Sequence, residues 1–268
     1  MADWRAKSET ASLSTGQVEL YPLPLDHIRD EVCNGQHLHI IGEAAGSRYY
    51  CKRDSDGRPI RATEWFCTSL ASHLGIPVPD FATVLNPMNG EILFGSKGQW
   101  GTASEFEVQA FLMERRSSDR AISPDPPWLS SYLAKLYIFD LFVGNPDRQP
   151  RNFLLVQASG YRRLLAYDFA SADLKNLSNR TLVIAETQTV FVGRVLRELH
   201  GFDRNGAEEM IDWIAAVPAS KIESILSEMP EDWLSDRDKG AICDSWVDGA
   251  VGDRLAALRR GLSDASIL

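Results

Sequence analysis

Asn145-Pro146-Asp147-Arg148-Gln149-Pro150-Arg151-Asn152-Phe153-Leu154-Leu155-Val156, followed by Leu164-Leu165-Ala166-Tyr167-Asp168-Phe169, is the stretch on which the fold turns. It sets Asp147 and Asn152 five residues apart on a loop, runs into an apolar strand, and reaches a second apolar strand that ends in Asp168. A phosphotransferase needs such a set to hold magnesium-ATP. One carboxylate faces the acceptor hydroxyl, while an amide and a second carboxylate face the metal. A charge at the end of an apolar strand is costly unless it is paired or metal-bound, which makes Asp168 the sharpest residue of the three.

Working outward, the chain divides into a strand-rich first half and a helix-rich second half. His37 to Ile41 suits a strand, Gly42 to Ser47 a turn, and Arg48 to Lys52 the returning strand. A helix is expected from about Arg61 to Leu74, closed by Gly75 with Pro77 and Pro79 beyond. Strands are expected at Phe81–Leu85, Glu91–Phe94 and Phe106–Met113. The polar, proline-containing segment 117–127 reads as a boundary. Beyond it, Leu129–Val143 reads as a core helix and residues 206–216, 219–228 and 236–262 as further helices. The expected organisation is a disordered 1–16, an N-lobe over 17–116 and a C-lobe over 117–268. The fold class that follows is α+β and two-lobed, with a strand-rich N-lobe and a helical C-lobe.

Composition narrows the classes of function. The 268 residues are 44% hydrophobic and 24% charged, ordinary for a globular chain able to bury a core. A net charge of −9 disfavours nonspecific attraction to nucleic acid or an anionic membrane, so neither is an expected partner. The longest apolar segment, Leu133–Val143, is too short to span a bilayer and carries Lys135 and Asp140. The four cysteines lack zinc-ligand spacing, and residues 1–16 lack the apolar run of a secretory signal. A cytoplasmic chain is expected.

Four tasks of phosphoryl transfer each find a candidate. Lys52 ends a strand after a glycine-containing turn, where a cation can reach nucleotide phosphates while backbone N–H groups near Gly46 and Ser47 cover them. Glu64, in the following helix, can fix the Lys52 ammonium. Asp147 can orient the proton of an acceptor hydroxyl. Asn152 and Asp168 offer the oxygen ligands that magnesium prefers. Each residue alone has a plainer explanation: an edge-strand lysine, a helix-dipole acid, a turn aspartate, or an ion pair between Asp168 and Arg151. Their order along one chain is what favours a kinase, with a small-molecule or lipid kinase on the same scaffold, or a catalytically silent nucleotide-binding module, as the alternatives. By the same order, Leu112-Met113-Glu114 stands where a lobe-connecting hinge would take adenine.

The motif resembles the HipA-type and phosphatidylinositol-kinase-like phosphotransferases, above all the short HipA-like serine/threonine kinase domains of bacteria. Leu74-Gly75-Ile76-Pro77-Val78-Pro79, following the Glu64 helix, is similar to their "LGLPVP" segment. The resemblance runs from about Leu38 to Asp173. It implies a two-lobed, protein-kinase-like fold, ATP and Mg2+ as cofactors, transfer to a serine or threonine of a protein, and an antitoxin or other regulatory partner as in toxin–antitoxin systems. It also implies phosphate contact by Lys52, catalysis by Asp147, and metal binding by Asn152 and Asp168. In the family's toxins a serine of the phosphate loop is autophosphorylated, a role that would fall to Ser47. Many relatives carry histidine two residues after the catalytic aspartate. This chain has Gln149, which can hydrogen-bond a nucleotide phosphate but cannot act as a cation.

Overall fold

The computed structural model describes residues 21–29, 38–113, 126–158, 161–182 and 186–268. The expectations for residues 1–16, and for a boundary near 116/117, fall outside or at the edge of those ranges.

Strands β3 (Leu38–Ala44) and β4 (Ser47–Lys52) pair antiparallel around a two-residue turn. Ala45 and Gly46 both take positive φ, 48° and 72°. That geometry matches the twist of the flanking strands, so the pairing runs on to Ala44↔Ser47 and the turn is tighter than the 42–47 expected. β1 (Leu23–Pro24), β2 (His27–Arg29), β5 (Phe81–Leu85) and β6 (Ile92–Lys97) complete a six-stranded sheet in the order β1-β5-β6-β4-β3-β2. Strand alternation divides β4 between two surfaces. Tyr49 and Cys51 enter a small core with Leu25, Val84 and Leu93, while Tyr50 and Lys52 face a cleft.

Helix α1 (Ile60–His73) buries Phe66, Cys67 and Leu70 in the main core and stops at Leu74, with Gly75 at φ 75°. Polar contacts tie it to the second half of the chain. Trp65 donates its indole N–H to the Ile225 carbonyl at 3.1 Å, and Arg61 pairs with Asp232 at 3.1 Å.

Residues 106–113 form helix α2 (Glu105–Met113), not the expected strand. Ser104 and Glu107 explain the difference. The Glu107 carboxylate accepts from the Ser104 N–H, and the Glu107 N–H donates to the Ser104 hydroxyl. This reciprocal cap starts a helix, and Val108, Phe111 and Leu112 then fall on one buried face.

Helix α3 (Leu129–Val143) is buried along most of its length and ends at Gly144 in the left-handed region, φ 65°. Against it pack α4 (Gln188–His200), α5 (Arg204–Ala215) and α8 (Ala250–Ser263), while α6 (Ala219–Ser227) packs on α1 and on α7 (Asp236–Val247). The single terminal helix expected over 236–262 is two helices, because Gly249 at φ 89° turns the chain between them. None of the described helices is long and apolar enough to cross a membrane.

The quoted motif becomes a loop and a hairpin. A 3-10 turn over Pro150–Asn152 leads into β7 (Phe153–Ala158), which pairs with β8 (Tyr161–Ala166). The ladder sets Phe153 opposite Ala166. Asn152 and Asp168, just beyond that pair, are thereby brought to the same end of the hairpin. The observed order is the expected α+β one, a curled sheet followed by helices.

Candidate active site

Lys52 reaches the cleft from β4 and Glu64 from α1; Asp147, Asn152 and Asp168 come from the loop and hairpin end. All five line one cavity of about 480 Å³. The Lys52 ammonium lies 2.6 Å from the Glu64 carboxylate and 2.5 Å from that of Asp168. The Asn152 amide donates to the second Asp168 oxygen at 3.1 Å. Asp168 adopts φ 62°, a left-handed conformation that a non-glycine residue keeps only when its contacts hold it there. Its carboxylate is therefore held on both oxygens.

Burial pushes the pKa of Lys52 down, but Glu64 and Asp168 outweigh it and hold the ammonium well above its ordinary range. Burial pushes Glu64 up, and the attraction of Lys52 only partly opposes this. With 2.6 Å between nitrogen and oxygen, the two groups form an ion pair once Glu64 has lost its proton. The Tyr167 hydroxyl, next to Asp168, is pushed up to about 12, first by burial and then by the Asp168 charge.

Asp147 is more open. Its side chain is 37% exposed and lies 3.8 Å from the Arg151 guanidinium. One carboxylate oxygen accepts from the Gln149 side-chain amide at 2.7 Å. The Gln149 backbone N–H donates to the Asn152 side-chain oxygen at 3.0 Å. That oxygen keeps a second lone pair.

Arg148 was not singled out by the sequence reasoning, yet it braces the loop. It is 4% exposed and takes both oxygens of fully buried Asp140, at 2.8 and 3.0 Å. It also donates to the carbonyls of Asn152 at 3.0 Å and Tyr167 at 2.5 Å, and stacks 4.6 Å over the Phe169 ring. One side chain thus joins α3, the Asn152 loop and the residue before Asp168. Asp140 within the apolar run of α3 was the available signal, since a carboxylate there requires a partner.

Residues 35–257 match the HipA-like kinase family (HipA_2). The chain belongs to that family. It is accordingly a kinase. Among solved structures, the Helicobacter pylori proinflammatory kinase CtkA is 12% identical, and the match covers 88% of this chain and 99% of that one with a TM-score of 0.57. At that identity the likeness concerns the fold. HipA of Shewanella oneidensis MR-1, solved with HipB and its operator DNA, is 15% identical over 82% of this chain and 59% of that one, with a TM-score of 0.45. A comparison with curated proteins finds no match.

In this HipA-like kinase, three expected nucleotide contacts are displaced. The ladder pairs Leu38 with Lys52 but Ala44 with Ser47, so the Gly46–Ser47 turn stands at the opposite end of the strand from Lys52. Five strand steps put about 16 Å of β4 between that turn and Lys52. Met113 ends α2 and is not among the cleft-lining residues; Ser96 at the end of β6 and Gly98 and Gln99 after it are. Gln149 does not line it either and turns to Asp147 instead. Asp168, for which an ion pair with Arg151 is the plainer reading of the sequence, meets Lys52, while Arg151 lies 3.8 Å from Asp147.

Proposed function

We propose that this HipA-like kinase transfers the γ-phosphoryl group of ATP, held with Mg2+, to a serine or threonine hydroxyl of a protein. The observation that supports it most is the joint contact of Lys52 with Glu64 and Asp168 in a cleft that also holds Asp147 and Asn152. Catalysis of this kind rests on placement and charge, and these side chains supply both.

Lys52, fixed by Glu64, neutralises and orients the nucleotide phosphates. The end of β6 and the residues after it, Ser96–Gln99, take the edge of the adenine through their backbone, and Phe94 and Val108 flank the ring. Asp168 and the free lone pair of the Asn152 oxygen hold Mg2+. Two such oxygen groups fit an ion that usually keeps water and phosphate oxygens as its remaining ligands. When bound, Mg2+ supplies positive charge against the transferring phosphoryl oxygens. Asp147, exposed at the cleft mouth, orients the acceptor hydroxyl and receives its proton as the oxygen attacks.

The test is incubation of the purified chain with Mg2+ and γ-labelled ATP, alone and with a mixed protein acceptor. Label on serine or threonine is expected, and Asp147→Ala is expected to abolish it. Label confined to small-molecule acceptors would contradict the protein specificity. Loss of nucleotide binding altogether would contradict the reading as a whole.

A further inference from the structure

The loop between Asp147 and Asn152 contains a residue that touches both of them from outside the cleft. The Gln149 side-chain N–H meets one Asp147 oxygen at 2.7 Å, and its backbone N–H meets the Asn152 side-chain oxygen at 3.0 Å. Pro150 follows and fixes the first position of the 3-10 turn. The Asp147 backbone N–H points back to the Asn145 side-chain oxygen at 3.4 Å, and the Asn145 amide donates to buried Asp140 at 2.8 Å. The backbone of the loop is thus anchored from the helix side. The Asp147 carboxylate itself has only two neighbours among these contacts, Gln149 at 2.7 Å and the half-exposed Arg151 at 3.8 Å.

We propose that Gln149 is a positioning residue, which sets the rotamer of Asp147 and the orientation of the Asn152 amide together. The proposal rests on Asp147 facing the acceptor, as argued above, and goes beyond it by giving Gln149 a role other than phosphate contact. The asymmetry of the amide makes the role specific. Its nitrogen donates to a carboxylate that can only accept, so a glutamate in its place would set two like charges together. The Asn152 orientation follows from the same loop. With its oxygen on the Gln149 N–H, its nitrogen is the atom left to meet Asp168. Gln149 thereby couples the group facing the acceptor to the group facing the metal without touching the nucleotide.

The experiment compares wild type, Gln149→Ala, Gln149→His, Asp147→Ala and the Asp147→Ala/Gln149→Ala double variant. ATP turnover, autophosphorylation and equilibrium binding of ATP are measured on the full chain, with thermal unfolding of each variant. Gln149→Ala is expected to lower kcat by about 10- to 100-fold, the scale of a misplaced catalytic group. KM and binding for ATP are expected to stay within about twofold, since no binding contact is lost. Gln149→His, which can offer a ring N–H to the same oxygen, is expected to recover most of the rate. The double variant is expected to be no slower than Asp147→Ala alone. A raised KM for ATP at unchanged kcat would overturn the proposal in favour of phosphate contact. Wild-type kinetics in Gln149→Ala beside an inert Asp147→Ala would overturn the proposal alone. Full transfer by Asp147→Ala would overturn the role of Asp147 and the proposal with it.

Discussion

Lys52 and Asp168 lie 116 residues apart in the sequence and meet at 2.5 Å in the cleft. Lys52 is also bonded to Glu64, so a strand, a helix and the end of a hairpin converge on one ammonium. Replacing Lys52 by Met should lower phosphoryl transfer by about 10²–10³-fold, the scale for loss of one preorganised charge. It should also destabilise the chain by about 3–5 kcal/mol, because Glu64 is left buried without its cation. Adding Glu64→Gln should return much of the stability and none of the activity. Denaturant unfolding and a transfer assay on the two variants separate the effects, and an active, stable Lys52→Met would contradict this account.

The Arg148–Asp140 pair predicts a different pattern. Arg148→Met leaves fully buried Asp140 unpaired, and Asp140→Leu does the same to Arg148, so each should cost about 3–5 kcal/mol. The double replacement should cost less than the sum of the two, since it leaves neither charge uncompensated. Activity should not recover with stability, because the bonds to the Asn152 and Tyr167 carbonyls are gone. Additive stability losses in a double-mutant cycle would show that the two side chains act independently.

Ser47 offers a test of strand geometry. At about 16 Å from Lys52 along β4, a negative charge there lies beyond the screening length of about 8 Å at physiological salt. Ser47→Glu should therefore leave ATP affinity within about twofold, an interval that fits a screened charge. Titration of a fluorescent ATP analogue measures it. A loss of affinity of more than about tenfold would put the turn back over the phosphates.

The shift at Glu64 sets a pH dependence. Burial raises its folded pKa above the ordinary 4.5, so its proton is held more tightly in the folded chain. The resulting contribution to stability is complete below about pH 4.5 and is lost as pH rises through the raised folded value. The stability of wild type relative to Glu64→Gln should therefore decline from pH 4 towards neutrality. Thermal melts of both proteins over that range read the difference, and an increase with pH would mean that the Lys52 charge dominates instead.

How far the sequence carried these conclusions can be seen residue by residue. The quoted motif was legible because its chemistry is local: a loop of fixed spacing, two alternating apolar strands, and a charge at the end of one. Lys52 and Glu64 followed from strand and helix signals that need no tertiary knowledge. Where Gly46, Ser47 and Met113 stand relative to the cleft is not legible, because order along the chain does not say which end of a hairpin faces a cleft. Ladder register decides that, and register is a long-range property. Helix α2 was readable in the Ser104–Glu107 cap and was missed by weighing the apolar run above it. Gln149 reads as a phosphate ligand from its side chain alone, and the positioning role proposed for it rests on the 2.7 Å contact with Asp147, which no sequence signal announces.

The most direct test of the account is transfer of label from γ-labelled ATP with Mg2+, measured for wild type, Asp147→Ala and Asp168→Asn alongside ATP binding. The account predicts that wild type transfers label and that both variants lose transfer while remaining folded. Asp147→Ala should retain ATP binding, whereas Asp168→Asn should lose the part that depends on Mg2+. Undiminished transfer by either variant would contradict it.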